Sequence, residues 1–161
     1  MAELKSILLA EDNACDAELI LEALAEFKFA NRIDVVRDGV EALEYLRRQG
    51  KYSQRAFGEP AVVILDIKMP RLDGIDVLRA IRADPALKLL PVVMLTSSQE
   101  DQDVIRSYEL GANAYVVKPV SFSEFSAAVK QIGMFWAVLN ELPPRCDPCL
   151  QNLAYGSEIT L

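Results

Sequence analysis

Residues 62–74 read VVILDIKMPRLDG. The first four are wholly apolar and β-branched or aliphatic, the composition of a strand buried on both faces of a parallel sheet. Asp66 then ends the run, and Lys-Met-Pro-Arg-Leu-Asp-Gly follows. An unpaired carboxylate closing a buried strand is costly as a packing element, so its presence points to chemistry rather than to the core.

Working outward from this strand, apolar runs alternate with helical patterns. Upstream, SILLA at 6–10 and IDVV at 33–36 read as strands; downstream, PVVML at 91–95 and AYVV at 114–117 do the same, and the quoted stretch belongs to AVVIL at 61–65. Between them, periodic apolar positions predict helices over 14–28, 40–49, 74–83 and 99–110. The inward faces are Ala17, Ile20, Leu21 and Leu24, then Val40, Leu43 and Leu46, then Ile75, Leu78 and Ile81. The third helix stops at Asp84-Pro85, because a residue before proline avoids helical geometry. The fourth ends at Gly111, a C′ glycine. Ser121 and Glu124 have capping-box spacing for a last helix, and Phe125, Val129, Ile132, Trp136 and Leu139 form its stripe. Phe122, Met134, Phe135 and Val138 widen that stripe, through close packing or through surface meant for a partner.

Strict strand–helix alternation implies a doubly wound α/β fold with a five-stranded parallel sheet, expected in the order 2-1-3-4-5; that order is taken from a known example of this architecture. The domain is expected over residues 1–141, with a C-terminal tail over 142–161 and no separate output domain.

Composition narrows the function. The chain has 161 residues, a net charge of −7 and no histidine. The charge argues against nucleic acid and anionic membrane as partners. Without histidine there is no Ser-His or Cys-His nucleophile and no histidine-bound metal. No apolar run approaches a membrane span, so a cytoplasmic protein is expected. Cys146 and Cys149 form a CxxC within the proline-rich tail, which reads as two thiols without a special role, or as half of a four-thiolate zinc site shared between two chains.

In such a sheet, ligands bind outside the carboxyl ends of the strands. Those ends carry Glu11 and Asp12, Asp66, Thr96 and Ser97, and Lys118. The predicted order puts Asp12 and Asp66 face to face. Two carboxylates 4 Å apart repel by about 4 kcal/mol at an effective dielectric of 20. A hard divalent cation such as Mg2+ offsets this, with Lys118 adding a positive charge. A carboxylate flanked by magnesium, an ammonium and a hydroxyl suits receipt of a phosphoryl group. Each residue also has a plainer reading. Asp12 or Asn13 caps the first helix, Ser97 and Glu100 form a capping box, Lys118 is a surface lysine, and Tyr115 is a half-buried strand aromatic.

The set AEDN (10–13), LDIKMPRLDG (65–74), LTSS (95–98) and YVVKP (115–119) resembles the receiver domain of two-component response regulators over residues 5–140. The resemblance implies that Asp66 is the phosphoacceptor and that Glu11 and Asp12 are the acidic pair. Asp12 and Asp66 would hold Mg2+ with the backbone carbonyl of Lys68. Thr96 and Lys118 match the phosphate-contacting positions, and Tyr115 the switch aromatic. The loop YLRRQGKYSQRAFGEP (45–60) and the ending FWAVLNELPP (135–144) resemble the small single-domain regulators paired with bacterial phytochrome-type histidine kinases. The implied partners are such a sensor kinase, a downstream protein target and a second copy of the chain, a homodimer formed on the face of the fourth helix, fifth strand and last helix. A haloacid dehalogenase-type phosphatase is disfavoured, since it needs an aspartate where Lys68 stands. A P-loop nucleotidase is excluded, because no GxxxxGK[ST] occurs. An interaction module that is never phosphorylated would be expected to lack the acceptor, the acidic pair or the lysine, and all are present.

Overall fold

The computed structural model describes residues 5–25, 32–55 and 58–143. Five parallel strands form one sheet in the order 2-1-3-4-5, as expected. In chain order the elements are β1 (Ser6–Ala10), α1 (Ala14–Ala25), β2 (Arg32–Val36), α2 (Gly39–Arg47), a 3-10 turn (Gly50–Tyr52), β3 (Val62–Leu65) and α3 (Gly74–Ala83). Then come β4 (Val92–Thr96), α4 (Asp101–Glu109), β5 (Ala114–Val117), α5 (Phe122–Gly133) and a π-helical segment (Met134–Leu139). Residues 26–28 of the predicted first helix, and Cys146 and Cys149, lie outside the described residues.

The sheet separates two apolar layers. Successive residues of a strand point to opposite faces, so Leu8, Val63, Leu65, Val92 and Met94 pack under α2 and α3. Ile7, Leu9, Val62, Ile64, Val93 and Leu95 pack under α1 and α5. The three central strands are buried on both faces, which is why their sequences are apolar without alternation.

Three helix starts are set by side-chain caps: Asp38 accepts from Glu41 N–H on α2, Asp73 from Asp76 N–H on α3, and Ser121 from Glu124 N–H on α5. At the α3 end Asp84 is extended, as its proline requires. Gly111 follows α4 with φ +92°, which confirms it as the C′ residue.

Three local expectations are corrected. The second helix ends at Arg47 rather than Gln49, because Arg48 adopts a left-handed C-cap that bonds back to Glu44 and Tyr45. Its buried face carries Ala42, Tyr45 and Leu46, with Val40 and Leu43 only half-buried, because the ring of Tyr45 fills the layer while its hydroxyl reaches Asp34. On the last helix, Phe125, Val129 and Ile132 are buried and Trp136 packs on the same layer, but Leu139 is exposed. The helix widens to i→i+5 bonding after Gly133, seen in Asn140 N–H to Phe135 O, which turns the stripe away from the sheet.

Candidate functional site

The strand ends converge because the backbone ladders run one residue past each strand. Glu11 N–H bonds to Val36 O at 3.0 Å, Asp66 N–H to Ala10 O at 3.1 Å, and Lys118 N–H to Thr96 O at 2.7 Å. Glu11, Asp66 and Lys118 are thereby fixed at the carboxyl end of the sheet. Asn13 caps the first helix, its Oδ1 accepting from Asp16 N–H at 3.0 Å, so the capping reading of Asp12 falls away and that carboxylate stands exposed at the mouth.

Carboxylate oxygens of Glu11, Asp12 and Asp66 lie within 4.8 Å of one another. Glu11 and Asp66 are buried. Lys118 Nζ donates to Glu11 at 2.6 Å, to Asp16 at 2.9 Å and to Asp66 at 3.0 Å. Asp66 Oδ1 also accepts from Ile67 N–H at 2.7 Å, and Glu11 Oε1 from Asn13 N–H at 3.1 Å. Burial pushes the Glu11 carboxyl up to about 7; the Lys118 hydrogen bond pulls against this, and the charge of Asp66 adds to it. Burial alone would lower the Lys118 pKa, but its bonds to Glu11 and Asp16 and the charge of Asp66 outweigh that and raise it. Lys118 is therefore held as an ammonium. It compensates only one of the surrounding negative charges, and the oxygen-only donor set fits a hard divalent cation.

Asp66 is held in place by a glycine. A Cβ on Gly74 would sit 2.1 Å from Asp66 O, and Gly74 N–H bonds to Ile67 O at 2.7 Å. Only glycine lets the start of α3 approach the end of β3 this closely.

Thr96 is fully buried, and its hydroxyl accepts from Ser98 N–H at 3.3 Å. Tyr115 packs on the layer under α2 and α3 and donates its hydroxyl to Ser98 O at 3.0 Å. The loop between β4 and α4 thus bridges the two. The Ser97–Glu100 capping box is not formed: Ser97 is exposed, Glu100 is the N-cap without a side-chain bond, and Ser98 Oγ bonds to Asp103 at 2.6 Å instead. Lys68 lies in the loop after Asp66 with its side chain exposed. Sequence reasoning missed Asp16 and Ser98. Asp16 lies in the first turn of α1, just past the Asn13 cap, and no signal in the sequence paired it with Lys118.

Four strand ends, one acidic cluster and one half-buried lysine define a phosphoacceptor signalling module. The chain belongs to the response regulator receiver domain family, whose model matches residues 7–130. Members of this family accept a phosphoryl group from a sensor histidine kinase.

The chain's relatives are more particular. The response regulator Rcp1 of Synechocystis sp. is 37% identical over 139 residues, covering 86% of this chain and 93% of that protein. The structure of its Mn2+-bound form matches with a TM-score of 0.81. The phosphorylated cyanobacterial phytochrome response regulator RcpA is 40% identical, with a TM-score of 0.83, over 88% of this chain and 99% of that one. The bacteriophytochrome response regulator AtBRR is 55% identical, with a TM-score of 0.69, over 86% of this chain and 99% of that one.

Proposed function

We propose that this chain takes a phosphoryl group onto Asp66 from a phytochrome-type sensor histidine kinase and passes the signal on by a change of shape. The observation that carries this reading is the half-buried Lys118 ammonium bonded at once to Asp66 and Glu11 beside the exposed Asp12.

Asp12 and Asp66, with the main-chain carbonyl of Lys68 and Glu11 as the second member of the acidic pair, are the residues that would hold Mg2+. When bound, the ion supplies neutralisation of the phosphoryl oxygens. The Mn2+-bound form of Rcp1 supports a divalent ion in this fold. A carboxylate oxygen of Asp66 attacks phosphorus in line, the P–N bond of the donor phosphohistidine breaks, and the imidazole leaves and takes a proton from solvent. Lys118 donates to a phosphoryl oxygen, and Thr96, whose oxygen already accepts from Ser98, has its own proton free to donate to another. Hydrolysis is the attack of water on the same phosphorus, which returns the Asp66 carboxylate and inorganic phosphate.

Drawing Thr96 toward the phosphoryl group pulls on the Ser98 loop that Tyr115 also grips. The loop and Tyr115 then rearrange, and the face of α4, β5 and α5 changes shape. That face carries Ile105, Tyr108, Phe122 and Phe135 exposed, and it is our candidate contact for a second copy and for a downstream protein.

Intact-mass measurement after incubation with Mg2+ and a small phosphodonor is the direct test. One added phosphoryl group on wild type and none on Asp66→Asn is expected. Equal labelling of both would reject Asp66 as the acceptor.

A further inference from the structure

Resting on that reading, we propose that Asp16 is a positioning residue that competes with the phosphoryl group for Lys118 and releases the lysine when Asp66 is phosphorylated. A lysine ammonium has three protons to donate. All three are spent here, on Glu11, Asp16 and Asp66. An incoming phosphoryl group carries close to two negative charges and adds acceptor oxygens, and Lys118 has no fourth proton to offer. Esterification removes the charge of Asp66, so its contact passes to the phosphoryl group it carries, and a second contact must be given up for Lys118 to meet more than one phosphoryl oxygen.

Between Glu11 and Asp16, burial decides which. The Glu11 and Asp66 side chains are 1% and 8% exposed, whereas Asp16 is 32% exposed. Glu11 cut from Lys118 would leave a buried acceptor without water; Asp16 has solvent to turn to. A cavity of about 320 Å³ beside the pair, lined by Asp16, Ser97, Lys118, Pro119, Phe122 and Phe125, gives its carboxylate room to swing. Asp16 therefore works against the phosphorylated state twice, by occupying a Lys118 proton and by adding a negative charge near the dianion.

The test is calorimetric titration with Mg2+ and beryllofluoride, a phosphoryl analogue that binds without reacting. Asp16→Asn and Asp16→Ala are each expected to bind it about three- to tenfold more tightly than wild type, the scale of one partly screened charge. The gap should narrow as salt is raised toward 1 M, where screening acts within about 3 Å. Glu18→Gln, the same charge change at an exposed position of the same helix, should match wild type. Unchanged or weaker binding in both Asp16 variants, with wild type binding normally, overturns this inference and leaves the acceptor reading standing. A wild type that takes neither beryllofluoride nor a phosphoryl group overturns both.

Discussion

Gly74 shows how one residue without a side chain can govern a site. Its α-carbon faces the carbonyl of Asp66 so closely that a methyl group has nowhere to go but into backbone. Gly74→Ala is expected to cost about 1–3 kcal/mol, the usual range for overpacking, and to slow labelling of Asp66 by displacing the loop that carries it. Urea unfolding together with the rate of phosphorylation checks this, and a variant as stable and as fast as wild type would refute it. Glu41 is a second informative residue, in the first turn of α2. Burial alone would raise its carboxyl, but the bonds from Lys51, the Tyr52 hydroxyl and the Arg37 N–H outweigh it and bring it down to about 2. A depressed folded pKa stabilises the protein above the unfolded value, near 4.5, and that contribution is lost as pH falls toward 2. Wild type should accordingly lose its stability advantage over Glu41→Gln between about pH 5 and pH 2, read from denaturation midpoints across that range; parallel curves for the two proteins would contradict the assignment.

The element with most to reveal is the last helix. Its first three turns seat Phe125, Val129 and Ile132 against the sheet, and the edge-to-face pair of Phe135 and Trp136, with centroids 4.9 Å apart, follows in the π-helical segment. Phe135, Val138 and Leu139 face solvent beyond the turn where the stripe rotates outward. Phe135→Glu should leave the monomer fold within about 0.5 kcal/mol of wild type, as surface changes usually do, while weakening self-association if this surface is the dimer contact. Sedimentation at several concentrations, with and without phosphorylation, decides it. A phosphoprotein that is monomeric throughout would remove the dimer proposal. The apolar stripe was visible in the sequence, but its last member was not placed correctly, because helical spacing assumes a constant turn and Gly133 begins a wider one.

At the scale of the whole molecule, the fold holds negative charges together at the carboxyl end of the sheet. Among the described residues no helix is long and apolar enough to cross a membrane. A cation that binds the acidic cluster of the folded chain would stabilise it by linkage. Magnesium at a hundredfold its dissociation constant should stabilise wild type by about 2.7 kcal/mol, a rise of roughly 5–10 °C in the thermal midpoint for a chain of this length. Asp12→Asn should show the opposite balance, somewhat more stable than wild type in chelator and nearly unresponsive to magnesium. Thermal melts in both conditions check the pair, and an equal magnesium response in the two proteins would remove Asp12 from the metal site.

The linear sequence determined the strands and the polar residues that end them: buried parallel strands are apolar throughout, and the residue that ends each one is conspicuous by being polar. Asp66 after VVIL, Lys118 after AYVV and the family resemblance they carry were legible for that reason. Tertiary structure alone decided which polar groups touch. Asp16 comes from a helix and reaches Lys118 across 102 positions, Ser98 links Thr96 to Tyr115 through its backbone, and Tyr45 joins Leu46 on the buried face of α2 while Val40 is only half-buried. Apolar periodicity reports burial, a property each residue has by itself. A hydrogen bond between distant residues depends on the relative rotation of two packed elements, and that is settled only when the layers close.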